Sequence, residues 1–133
     1  MKFFIDANIA PHLARGLAAL SKPQSIEVVH LHDKFPASTK DEVWLKELGK
    51  EKSWTIVSGD YRIATNPVVR EAWKEAGLTT FFLQKGWTNI KFWEQSWKLV
   101  RWWPTIIDTA RTIQPPKTFW VPLAGNKLKL FDH

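Results

Sequence analysis

The chain predicts an α/β protein of three layers, with helices on both faces of a mainly parallel sheet and a C-terminal hairpin. Three observations carry this. Short apolar runs of strand length alternate with helical periodicity in the order βαβαβαβα. Turn and cap residues punctuate the runs. The 133 residues, 44% of them hydrophobic, suit one domain with its own core. No repeat, low-complexity stretch or linker interrupts the chain, so residues 1–133 read as one unit.

Residues 2–5 (KFFI) form a short buried strand ending at Asp6. Asn8 or a neighbour caps the following helix, Pro11 suits its first turn, and Leu13, Leu17 and Leu20 share one face. Lys22-Pro23 ends it. Residues 26–31 (IEVVHL) are the second strand, leading into His32-Asp33, and 35–37 are a loop. Ser38 and Thr39 are candidate caps for a helix to about residue 50, with Val43, Trp44, Leu45 and Leu48 as its apolar face. Residues 54–57 are the third strand, and Gly59 allows a sharp turn before Asp60. Pro67 opens a helix that Gly77 stops, and 79–83 are the fourth strand. Residues 90–112 are helical, with a kink or break expected at Pro104. The stretch TFWVPLAGNKLKLF is a hairpin, with Gly125-Asn126 as its turn.

Composition excludes several classes. With no Cys there is no disulfide, thiolate metal site or cysteine nucleophile, which fits a reducing cytoplasm. No run suits a membrane span, and Met1-Lys2-Phe3 already reads as strand rather than leader. GxGxxG, GxxxxGK[ST] and GxSxG are all missing. His30 and His32 alternate along a strand and face apart, while His12 and His133 stand alone, so no zinc site is signalled. The net charge of +6 favours polyanions. Nine Trp are unusual, and most lie in the second half. Trp stacks on unpaired bases, but it also fills cores and partner interfaces.

Against this basic background, acids fall at strand ends and at one helix start: Asp6, Asp33, the pair Asp41-Glu42, and Asp60. In a parallel sheet these positions share one edge. Carboxylates gathered without a cation repel, so their ordinary purpose is to hold a hard divalent metal. Each has a plainer alternative. Asp6 caps a helix, Asp60 makes a turn with Gly59, and Asp33 is solvated. Ser38-x-x-Asp41 or Thr39-x-x-Glu42 is a capping box. Arg62 either contacts a phosphate or pairs with a carboxylate.

The opening FFIDANIAP and the segment HDKFPASTKDEVWLKELGKEKSWTIVSGDYRI resemble the PIN-domain superfamily, over roughly residues 1–85. The resemblance implies a Rossmann-like α/β/α fold and a Mg²⁺- or Mn²⁺-dependent endoribonuclease. It further implies the toxin of a type II toxin–antitoxin pair, with RNA as substrate, an antitoxin partner and a homodimeric state. Carried over by position, Asp6, Asp41 and Asp60 are the metal-holding and catalytic acids, with Glu42 a substitute for Asp41 and Asp33 the candidate mid-chain acid; Arg62, two residues past Asp60, is placed to stabilise transition-state charge. The metal would activate water for attack on phosphorus. Arg62 stands where many PIN domains carry a second Asp. That departure keeps open a rival reading, a catalytically inactive PIN-like module binding RNA or a partner through its basic, Trp-rich half. A phosphatase-like hydrolase would need Asp-x-Asp, and Asp6-Ala7-Asn8 lacks it.

Overall fold

The computed structural model describes residues 1–131; His133 lies outside them. The elements in order are β1 (Lys2–Ile5), α1 (Pro11–Ser21), β2 (Glu27–His30), α2 (Leu31–Lys34), α3 (Asp41–Glu51) and β3 (Trp54–Ser58). There follow α4 (Arg62–Thr65), α5 (Pro67–Ala76), β4 (Thr80–Leu83), α6 (Phe92–Thr112), β5 (Thr118–Val121) and β6 (Lys129–Leu130). The strands form one sheet, ordered β2-β1-β3-β4-β5-β6. Every pairing is parallel except β5–β6, the antiparallel C-terminal hairpin. The α/β/α sandwich predicted by the alternating pattern is therefore present. No helix among the described residues is long and apolar enough to cross a membrane.

Side chains alternate across a strand, so successive residues of β1 feed two cores. Phe3 and Ile5 join Leu13 and Leu17 of α1 and Leu99, Trp103 and Ile106 of α6. Phe4 points the other way, onto Trp44, Leu45 and Leu48 of α3 and Trp73 of α5. Burying an indole requires a partner for its N–H. Trp103 donates to Ser21 Oγ (2.8 Å), Trp87 to the Val121 carbonyl (3.0 Å) and Trp73 to Thr80 Oγ1 (2.9 Å). Six of the nine Trp, at 44, 54, 73, 87, 102 and 103, are buried.

Several local expectations are corrected. Leu20 is 61% exposed; Ser21 turns inward instead, held by Trp103. The second strand stops at His30, because His30 Nδ1 accepts from the His32 N–H and starts α2 there. His32 is thus helical, and its ring meets His30 edge-on at 4.9 Å instead of facing away. Neither Ser38 nor Thr39 caps α3. Thr39 N–H closes a turn onto the Pro36 carbonyl, leaving Lys40 as an N-cap without a side-chain bond. Asn8 does not cap α1; the N-cap is Ala10 and Pro11 takes the first turn. Pro104 does not split α6, which runs as one helix over 21 residues. Gly77 behaves as expected, ending α5 at φ 62°.

Helices α3 and α5 touch through Gly49 and Ala76. A Cβ on Gly49 would lie 2.9 Å from Ala76 Cα, a backbone atom that cannot swing aside. Gly16 of α1 has nothing within 4 Å of the same position. Gly49→Val is therefore expected to destabilise by about 1–3 kcal/mol through overpacking. Gly16→Ala is expected to stabilise by about 0.5–1 kcal/mol through helix propensity. Urea denaturation of the two variants beside the wild type reads both signs.

Candidate functional site

The C-terminal ends of β1 and β3 are tied together. Asp6 N–H continues the ladder onto the Val57 carbonyl (3.0 Å). The Asp6 carboxylate is buried and engaged at both oxygens: Oδ1 accepts from Ala7 N–H (2.6 Å) and Oδ2 from the Ser58 hydroxyl (2.7 Å). Ser58 Oγ in turn accepts from Asp60 N–H (2.9 Å). Asn8 Oδ1 accepts from Gly59 N–H (3.2 Å), and a Cβ on Gly59 would lie 2.8 Å from Asn8 Nδ2. A side chain at Gly59 would have to push the Asn8 amide aside. Ser58 and Asn8 are the connectors that sequence reasoning missed. Their only signal was position, in the DAN and SGD runs that follow two strands.

Asp6, Asp41 and Asp60 line one cleft of about 380 Å³, together with Asn8, His32, Thr39 and Arg62. The three strand-end and helix-start acids therefore do meet at one sheet edge. Five of their six oxygens, however, accept from donors of the protein. Asp60 takes a two-pronged bond from Arg62, Nε to Oδ1 at 2.9 Å and an η-nitrogen to Oδ2 at 2.8 Å. Asp41 Oδ1 accepts from the Trp44 indole at 3.0 Å.

The two other candidates lie apart. Asp33 pairs with Arg15 at 2.9 Å on the surface, and Arg15 holds its carboxyl below the usual range. Glu42 faces a different space, the groove between α3 and α5. His30 is sealed, its Nε2–H donating to the Ile9 carbonyl (2.8 Å) while Nδ1 accepts from His32 N–H. Burial lowers its pKa, and both nitrogens are committed to the neutral ring.

Electrostatics divides the acids. Burial, reinforced by the charges of Asp41 and Asp60, pushes Asp6 up to about 6 despite its two hydrogen bonds. The Arg62 guanidinium pulls Asp60 down. Arg62 itself is raised, first by Asp60 and also by Asp41 and Asp6. One cation fixed on the chain thus serves the cleft.

Residues 1–85 match the PIN like domain family. The chain belongs to that family. No curated protein and no solved structure matches it.

Membership of the PIN-like family carries the fold and not the chemistry. Among the described residues, no group of three or more His, Cys, Asp or Glu is arranged to hold a metal ion. This overturns the expected Mg²⁺ or Mn²⁺ cofactor, and with it the metal-dependent endoribonuclease and the hydrolase assignment. The physical reason lies in the donors already described. A hard cation needs free carboxylate oxygens converging on one point. Here a guanidinium, an indole and a hydroxyl have taken them.

The Asp6 shift gives a signed expectation. Its folded pKa lies above the unfolded value, so the associated stability is present below about pH 4 and is lost as pH rises through about 6. Asp6→Asn removes the ionisable group. It is expected to be more stable than wild type at pH 8 by on the order of 1–3 kcal/mol, with the gap closing below pH 5. Denaturant midpoints at the two pH values check this. In Arg62→Ala, Asp60 loses its main counter-charge, and its titration midpoint is expected to move upward, read by carboxyl-carbon NMR.

Proposed function

We propose that the chain is a catalytically inactive PIN-like module that binds RNA. The supporting observation is where its positive charge sits. Residues 86–133 hold seven Lys or Arg against three Asp or Glu, whereas residues 1–85 hold twelve against ten. The stretch matching the family is nearly neutral, and the remainder is strongly basic. Lys91, Arg101, Arg111, Lys117, Lys127 and Lys129 are all exposed. A cationic surface of this kind neutralises backbone phosphates and releases their counterions.

On this reading Asp6, Asp41, Asp60 and Arg62 do not react. They lock the loops at the sheet edge, and the ligand is held elsewhere. The basic hairpin is fixed to the family portion by Trp120, whose ring packs 5.2 Å from Tyr61 and 5.9 Å from Phe82. Binding through phosphates is sequence-tolerant.

The test is fluorescence anisotropy with a labelled single-stranded RNA, in EDTA and again in Mn²⁺. Saturable binding in both, with the RNA intact on a gel, is the expected result. Replacing Lys117, Lys127 and Lys129 together by Gln is expected to weaken binding at least about tenfold and to flatten the slope of log affinity against log salt by about 2. Equal affinity of wild type and triple variant would reject this surface.

A further inference from the structure

Helix α6 buries Leu99, Trp102, Trp103, Ile106 and Ile107, yet it also carries two large rings outward. Trp93 is 80% exposed and Trp97 53%. They stand four residues apart, so they lie on one face, about 6 Å from each other along the axis. Neighbours hold both rings. Phe92 meets the Trp93 ring at 70° with centroids 5.7 Å apart, and the Lys98 ammonium sits 4.8 Å over the Trp97 ring. Lys98 also reaches Glu94 at 3.8 Å, which leaves that acid paired. A cation stands at either end of the two rings: Lys91 is the N-cap of the helix, two residues before Trp93, and Arg101 lies one turn beyond Trp97. Both are exposed, and neither takes part in an ion pair among the described residues. All of this lies beyond residue 85, outside the portion that matches the family.

We infer that Trp93 and Trp97 form a stacking site for unpaired nucleobases. This rests on the RNA reading above, which assigned residues to the phosphates and none to the bases. Charge is the first observation that selects this occupant. With Glu94 held by Lys98, the free charges at the ends of the ring pair are both positive. An apolar protein surface laid here would strip water from two cations and give them nothing in return. A nucleic-acid strand sets a base on each indole and its phosphates on Lys91 and Arg101. Position is the second. Gln95 of α6 donates to the Trp87 carbonyl (2.8 Å), and the Trp87 indole donates to the carbonyl of Val121, the last residue of β5 (3.0 Å). From Val121 the chain runs through Lys127 to Lys129 without an acid. The ring pair and the basic hairpin are thus joined through consecutive hydrogen bonds.

Stacking needs the flat face of a base, so bases already paired within a duplex cannot use the site. Every base has such a face, and sequence preference stays low. The indoles have little freedom left to lose, since Phe92 and Lys98 already pack on them. A stacked ring releases no counterion, so the site adds affinity without adding salt dependence. That property separates it from the lysine surface.

Anisotropy of the full chain in EDTA, with two labelled strands of equal length, tests it: an oligoadenylate RNA, and a ribose-phosphate strand that lacks the bases. The oligoadenylate is expected to bind at least about tenfold more tightly. Trp93→Leu/Trp97→Leu keeps the helix face apolar and removes the ring faces. It is expected to lose at least about tenfold for the oligoadenylate. Its affinity for the abasic strand, its slope of log affinity against log salt and its far-ultraviolet spectrum should match wild type, since both rings are exposed. Trp93→Phe/Trp97→Phe should recover part of the loss. Equal binding of the two strands by wild type, or full affinity for the oligoadenylate in the Leu variant, would overturn the inference and leave phosphate binding standing. The second of these would return the rings to an apolar partner. Failure to bind either strand would overturn the RNA reading, and the stacking site with it.

Discussion

The fork between Arg62 and Asp60 sets the electrical state of the whole sheet edge. Parallel strands deliver Asp6 and Asp60 to the same rim, and the start of α3 delivers Asp41. Three carboxylates in so small a space need a positive neighbour. Arg62, two residues past Asp60, supplies it from within the chain. Its donors are fixed in direction and engage both oxygens of Asp60. Asp6 is buried, with only an uncharged hydroxyl and amide to offset that burial, so its proton is held more tightly than that of Asp60. The same fork removes the loose, convergent oxygens on which a divalent ion depends.

Architecture was legible in the sequence because periodicity reports burial directly. Phe3, Phe4 and Ile5 had to lie in a sheet covered on both faces, and they do. The convergence of Asp6, Asp41 and Asp60 was legible too, since topology alone places strand ends and helix starts together. What those acids do at the meeting point was not. That depends on the rotamer of Arg62, the hydroxyl of Ser58 and the indole of Trp44, and spacing along a chain carries no information about where a guanidinium finally rests. The caps failed for a related reason. Thr39 was spent on a turn and Asn8 on Gly59, choices made by tertiary neighbours and not by local propensity. Leu20 and Val43 fit helical stripes on paper yet face outward, because a stripe wider than the contact it serves leaves its margin in water.

The two parts of the chain divide the labour of fold and surface. Residues up to about 85 build the alternating sheet and the tied edge. The later residues complete that sheet with β5 and β6, and they bring most of the excess positive charge. Indoles run through both parts with different fates. Where an N–H finds a partner, as at Ser21, Thr80 or Val121, the ring is interior. Along the outer side of α6 the rings remain in solvent.

The sheet's outer border is also shaped by what it refuses. β6 is only two residues long, and it sets Lys129 on the rim. A strand from a neighbouring molecule arriving there would find little free backbone to zip onto and a charged amine in its path. Crowded molecules of this protein are thereby deflected from end-to-end ribbon growth, the route by which exposed sheets turn into fibres.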